Sequence, residues 1–312
     1  MHKLAGAVTT LLLSASLLIS GCSFNLFSMT SYKYADADKY QAGDREITDT
    51  ITNLNLDYLS GKVTVKGEDT DKITITETAN RDLTEEQKVH TWVNGDTLYV
   101  RFCASSGNIN INNIEKSLVI TLPEDQALDV ATMDLTSGEL TYSNIKADTI
   151  NSDITSGKVD ITAEAGDVNV DATSGTVLLN LTGNSRNVKI DATSGDIDAV
   201  IGDAESLDID VTSGTINVTA NSIRSINVSK TSGDSEFRLN ETPDSVDIDS
   251  TSGKITFYLP EDAGITADID TTSGEFNYNL PFTRNGGVYV AGNGASTFSI
   301  NATSGDVTIN KI

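Results

Sequence analysis

The chain has 312 residues, with 45 Asp and Glu against 21 Lys and Arg, for a formal net charge of −24 at neutral pH. So acidic a surface repels phosphate backbones and anionic headgroups, which argues against nucleic acid or a bare anionic membrane as partner. It suits a solvated extracellular body, or one that collects cations.

In chain order, residues 1–21 read as an export leader. His2 and Lys3 precede an apolar run from Leu4 to Ile19, too short for a dedicated membrane span. The run ends in Leu18-Ile19-Ser20-Gly21-Cys22, which resembles the lipobox of bacterial lipoproteins. That resemblance implies cleavage before Cys22 and acylation of its thiol and amine, palmitate included. Several acyl chains hold a protein to a membrane where one is marginal. The only other cysteine is Cys103, so the mature chain cannot form an internal disulfide. Cys103 closes the strand-like run Leu98 to Cys103 and reads as a packed small residue. Residues 22–46 carry Tyr32, Tyr34 and Tyr40 without apolar periodicity; the expectation is a lipidated cysteine and a flexible tether.

From Ile47 the alternation of a β chain begins. Leu59-Ser60-Gly61-Lys62-Val63-Thr64-Val65 is a first corner-like copy, and Ser105-Ser106-Gly107 a second, imperfect one. Between them lie a polar turn, 82–88, and a hairpin, 90–100, turning at Asn94-Gly95-Asp96. Residues 47–130 therefore read as degenerate solenoid coils that cap a stack. Leu122-Pro123-Glu124-Asp125 and Leu259-Pro260-Glu261-Asp262 read as strand terminators.

Residues 131–312 hold the regular repeat. Thr-Ser-Gly recurs with its glycine at Gly138, Gly157, Gly175, Gly195, Gly214, Gly233, Gly253, Gly274 and Gly305. Successive glycines lie 19, 18, 20, 19, 19, 20, 21 and 31 residues apart. Apolar residues occupy odd positions before each glycine and even positions after it, the pattern of two strands with one buried face joined by a bend. The serine is expected to face inward and bond backbone at the bend, with the threonine outward. A unit this small cannot bury its face alone, but stacked at about 4.8 Å per rung it can. The expected fold is all-β, a single-chain β-solenoid of about nine regular 19–20-residue coils, with irregular N-terminal β coils. The last interval carries two glycine-rich loops among Phe276, Tyr278, Phe282, Tyr289 and Phe298. It reads as a C-terminal cap from about residue 275, with sugar stacking as the alternative.

One outward column is acidic. Four residues before the glycine stand Asp134, Asp153, Asp171, Asp191, Asp210, Ser229, Asp249, Asp270 and Asn301, and the next outward column adds Asp208, Asp247 and Asp268. Neighbouring carboxylates one rung apart repel by about 1 kcal/mol in water and about 3.5 at an effective dielectric of 20. Water and salt, threonine hydroxyls or a structural Ca²⁺ could offset this. The candidate calcium ligands are Asp134, Asp153, Asp171, Asp191, Asp208 and Asp210, although the glycine-rich nonapeptide calcium repeat is absent; no other cofactor is indicated.

With its repeat, its Leu-Ser-Gly-Lys-Val-Thr-Val at 59–65, its Leu-Pro-Glu-Asp at 122–125 and its Ala-Thr-Ser-Gly-Asp-Val-Thr-Ile at 302–309, the chain resembles the bacterial putative-adhesin family of unknown function. The resemblance covers roughly 47–312 and implies an exported protein of Ser-Gly-containing β repeats. It brings no catalytic residues, and leaves adhesion and envelope sensing both open. The functional expectation is a membrane-anchored, non-enzymatic interaction protein in the cell envelope, meeting a surface protein or a glycan. Its place is the outer face of the plasma membrane, or the outer membrane where the host has one. The alternatives are a lyase-like enzyme acting on polysaccharide, or a calcium-stabilised glycan-binding module. Against the lyase, His90 is the one histidine left after the leader, and Arg224, Lys230, Arg238 and Arg284 occupy unrelated phases. An ice-binding face would need two uncharged threonine columns, and here the column beside threonine is acid.

Overall fold

A computed structural model describes residues 32–107 and 109–312; the leader and Cys22 lie outside them. Among the described residues the only helical element is the 3-10 turn Ala37–Lys39, and the rest is one extended sheet of mainly parallel strands.

The alternation read from the repeat places the core. In the Gly214 rung, Ala204, Leu207, Ile209 and Val211 before the corner and Ile216, Val218 and Ala220 after it are buried. Asp210, Thr212, Asn217 and Thr219 between them are exposed. Each rung pairs in parallel with the next, equivalent residue on equivalent residue, as in Ile197 with Ile216 and Asp210 with Ser229. Burying one Val, Leu or Ile contributes about 1.5–3 kcal/mol. The seven inward positions of a rung are therefore what holds it to its neighbours. The corner serine departs from expectation: it is half-buried, and Ser174 donates its hydroxyl to the carbonyl of Thr155 one rung away, at 3.3 Å.

Stack order differs from chain order at both ends. An added Cβ at each corner glycine would strike the backbone of the rung beside it, which orders the corners as Lys116, Gly61, Gly138, Gly157, Gly175, Gly195, Gly214, Gly233, Gly253, Gly305, Gly274. The last strands in sequence, Ser296–Ser304 and Val307–Lys311, slot between the Gly253 rung and Ile265–Ser273 with Phe276–Tyr278. The first long strand, Asn53–Glu68, likewise slots between Ala127–Ser143 and a split rung made of Thr97–Arg101 and Lys116–Pro123. The position beside Gly61 thus belongs to Lys116, and Ser105-Ser106-Gly107 is not a corner of the stack. Gly274 also departs from its class: unlike the other Thr-Ser-Gly corners it does not adopt a left-handed φ.

The N-terminal end is closed by antiparallel pairing. Ile73–Ala79 lies against Lys116–Pro123, and His90–Asn94 against Thr97–Arg101. The expected tether is shorter than 22–46, because Arg45–Ile47 pairs with Ile73–Ala79 and Gln41–Ala42 with His90–Asn94. Tyr32 exchanges backbone bonds with Ser106, at 2.9 and 2.8 Å. Tyr32, Tyr34, Tyr40, Trp92 and Tyr99 then pack ring on ring. Irregularly spaced tyrosines carry no period, yet their rings supply the area that orders this segment. Beneath them, burial pushes the Cys103 thiol up to about 11, an inert packed group.

The opposite end is plugged by aromatics. The hairpin Thr283–Asn285 and Val288–Ala291 folds back so that Phe282 and Tyr289 meet Phe276 at 5.8 and 4.8 Å between ring centres. Phe298, also read as part of the cap, is instead buried within the stack against Phe257.

Candidate functional site

Because equivalent residues stack, the acidic column becomes one continuous line. Through the register it runs Arg101, Asp57, Asp134, Asp153 and on to Asp171, then Asp191, Asp210, Ser229, Asp249, Asn301 and Asp270. Asp134, Asp153, Asp171 and Asp210 are exposed, with Asp191 and Asp208 half-buried. All six candidate ligands therefore lie on the expected outer face.

The structure shows what offsets part of their repulsion. In the distal half the acids alternate with neutral residues: Asn301, inserted out of sequence order, donates its amide to Asp249 at 2.9 Å. In the neighbouring column Asn227 donates to Asp208 at 2.6 Å and Asn169 to Asn151 at 2.9 Å. Lys189 stands in that column and pairs with Asp191. Among the described residues no group of three or more His, Cys, Asp or Glu side chains is arranged to hold a metal. Among the described residues the side-chain partners of the column's acids are the Asn301 amide and Lys189, not threonine hydroxyls.

Two participants escaped sequence reasoning. Asp57 sits four residues before Gly61, so the motif at 59–61 could have found it. Arg101 could not be found, since it reaches the column through the split rung. Its guanidinium donates to the Asn55 carbonyl at 3.0 Å and the Asn55 side chain at 2.8 Å, over the rings of Tyr34, Tyr40 and Tyr99. The acidic line therefore begins on a cation set among aromatics. Shallow grooves follow it, one of about 440 Å³ along Asp171, Lys189, Asp191, Asp208 and Asp210, another of about 280 Å³ along Asp134, Asp153 and Asn169.

A second acid device holds the rungs on the far side of the corner. Wherever the sequence reads Ser-Gly-Asp, the aspartate accepts the backbone N–H of the next rung: Asp196 from Thr215 at 3.1 Å, Asp234 from Lys254 at 2.8 Å and Asp306 from Glu275 at 3.0 Å. The ladder is interrupted at those N–H groups, and a carboxylate supplies the missing acceptor. Hydrogen bonds from Thr215 accordingly hold Asp196 below the ordinary carboxylate range.

The acidic line has a pH signature. Desolvation by the flanking rungs, then the charges of Asp57 and Asp153, push the Asp134 carboxyl above its usual range, and Arg101 only partly opposes this. A raised folded pKa means that the stabilising contribution is full below the unfolded value and is lost as pH rises through the folded one. At neutral pH Asp134→Asn is therefore expected to raise stability slightly, by no more than ~1 kcal/mol because solvent screens the column. It should also flatten the stability profile just above the ordinary aspartate pKa. A lower melting temperature for the variant at pH 7 contradicts this electrostatic account.

The basic residues of a lyase do not converge. Lys230 points into the core, donating to the carbonyls of Gly233 and Lys254 at 2.7 and 3.2 Å, and burial pushes its amine down to about 8. Arg238 lies over Tyr258, Arg284 over Tyr289, and Arg224 faces Asp244.

Residues 51–310 match the family described as Toastrack DUF4097. No curated protein matches the chain. Among solved structures, similarity is found to a putative cell adhesion protein from Clostridium sporogenes ATCC 15579, at 17% identity over 87% of this chain and 100% of that one, with a TM-score of 0.28. A putative adhesin from Bacteroides fragilis NCTC 9343 is 15% identical over 86% and 96%, with a TM-score of 0.42. A putative adhesin from Parabacteroides merdae ATCC 43184 is 12% identical over 87% and 96%, with a TM-score of 0.48.

Proposed function

This chain belongs to the Toastrack DUF4097 family, and from that membership we propose that it is a lipid-anchored, extracytoplasmic and non-enzymatic interaction protein. The observation that supports this reading is the unbroken lateral face, running from the Arg101 and tyrosine group to Asp270 and bordered by shallow polar grooves. A surface that repeats every rung, about 4.8 Å, suits a long polar partner, a protein surface or a glycan, better than one small substrate. Among the described residues no helix is long and apolar enough to cross a membrane, and in this reading the acyl chains on Cys22 do the anchoring.

The folded N-terminus sets the geometry of that anchor. Ten residue steps separate Cys22 from Tyr32, which reach at most about 36 Å. In this reading the N-terminal cap stays within that distance of the lipid. Two measurements test the proposal. Cys22→Ala should move the protein from the membrane fraction to the soluble fraction and abolish labelling by a palmitate analogue; membrane retention of the variant rejects lipid anchoring. The full chain, used as bait against surface material, should enrich a partner that Asp153→Asn with Asp171→Asn releases. Undiminished capture by that double variant rejects the acidic face as the contact.

A further inference from the structure

Among the described residues every rung but the last is paired on both edges. In Ile265–Ser273 and Phe276–Tyr278 one edge carries Ser296–Ser304 and Val307–Lys311. On the other, Val288–Ala291 covers only residues 265–267. Gly305 donates to the Ser273 carbonyl at 2.9 Å and Val307 to the Glu275 carbonyl at 3.0 Å. Alternation along a parallel strand then turns the N–H and C=O groups of Asp268, Asp270 and Thr272 toward open solvent. Residues 270 and 272–275 are exposed, while the inward Ile269 is only partly buried against the core. A bare strand edge of this length is a template for another strand.

We propose that this edge, residues 268–275, is a strand-addition site for an extended segment of another protein in which basic and apolar residues alternate. Charge selects that occupant. Asp268, Asp270 and Glu275 line the edge, and among the described residues none of them is in a salt bridge. One rung inward the columns of the two aspartates are neutral, with Ser299 beside Asp268 and Asn301 beside Asp270, whereas Glu275 lies beside Asp306. The ladder has thus placed a neutral residue under both aspartates, and a residue laid over Asp270 should be a donor. A second copy paired edge to edge would set acid against acid, which is destabilising across a strand pair. Apolar residues at alternate positions of the added strand would cover Ile269, as the equivalents do in every other rung. Backbone bonds supply affinity here and the alternating side chains supply selectivity. The pairing groups lie on the end of the stack, so this site shares only Asp270 with the lateral face.

The test uses the full chain and a fluorescein-labelled heptapeptide alternating lysine with valine or isoleucine, with an acidic counterpart alternating glutamate. Fluorescence anisotropy should show the lysine peptide binding and the glutamate peptide not. Thr272→Pro, which removes an outward N–H that the fold does not use, should weaken the lysine peptide at least tenfold with the melting temperature kept. Asp270→Lys should weaken it likewise and leave the fold intact, while Asp171→Asn on the lateral face should leave affinity unchanged. Equal loss on Asp171→Asn would show attraction by bulk charge and overturn the proposal. Unchanged binding to both edge variants, or end-to-end dimers in sedimentation that Thr272→Pro abolishes, would overturn it as well.

Discussion

Valine in place of Gly214 is expected to cost at least ~3 kcal/mol, combining about 1–3 kcal/mol of backbone strain with a clash that the fold cannot relax. Gly214 has a φ of 143°, and a Cβ there would lie 1.8 Å from the carbonyl oxygen of Gly195. That oxygen belongs to the next rung's backbone, so relief requires prising two rungs apart along their whole length. On that side residues 216–220 pair with 197–201, which puts the core positions of two rungs at stake. For a chain of this size the loss corresponds to about 5 °C or more in melting temperature. Gly95 is the control: its φ is 62°, but an added Cβ meets nothing within 4 Å. Gly95→Ala should therefore cost only the strain of a left-handed residue, about 1–2 kcal/mol. Equal melting temperatures for the two variants would show that the corners are not held by rung contact.

Breaking the buried ion pair of the N-terminal cap is the second large effect. Lys116 and Glu77 pair at 2.9 Å with side chains 0% and 3% exposed. Glu77 also accepts the Tyr58 hydroxyl at 2.9 Å and the Val89 N–H at 2.8 Å. Lys116 in turn donates to the carbonyls of Gln87 and Phe102 and lies 4.2 Å from the Phe102 ring centre. Lys116→Met leaves a desolvated carboxylate without its cation, which typically costs about 3–5 kcal/mol. Glu77→Gln keeps the shape and an acceptor for Tyr58 yet strands the ammonium, and a similar loss is expected. The two changes together should cost less than their sum, because the second removes a charge that the first has orphaned. Denaturant titration of the four proteins measures this, and strict additivity would show that the two groups do not depend on each other. Lys116 occupies the stack position beside Gly61, so this pair fastens the cap to the first rung.

The repeated part of the fold was legible because its signals are local. The distance from Gly195 to Gly214 is one winding, and Ile197 and Ile216 announce their pairing by occupying the same place relative to those glycines. The acidic line was legible for the same reason, from Asp134 to Asp210. Arg101 and the tyrosines of residues 32–40 were not, since no period links them to the column they end on. The tether expectation failed there because Tyr32, Tyr34 and Tyr40 form a run of touching rings that ends on Trp92, itself stacked on Tyr99, side chains more than fifty residues away in the chain.

The amino-acid sequence alone therefore determined the rung: its two strands, its glycine corner, its buried face and its acidic outer column. Tertiary structure alone decided the order of rungs at the two ends, and with it which acids have neutral neighbours and which edge stays bare. The physical reason is that every repeat offers nearly the same mating surface, so local pattern cannot say which repeat lies beside which. That choice falls to the ends of the stack, where an exposed strand edge must be paired, plugged or left open. Placing Asn301 between Asp249 and Asp270 relieves like charge. The same move leaves Asp268, Asp270 and Thr272 as the last strand edge facing water.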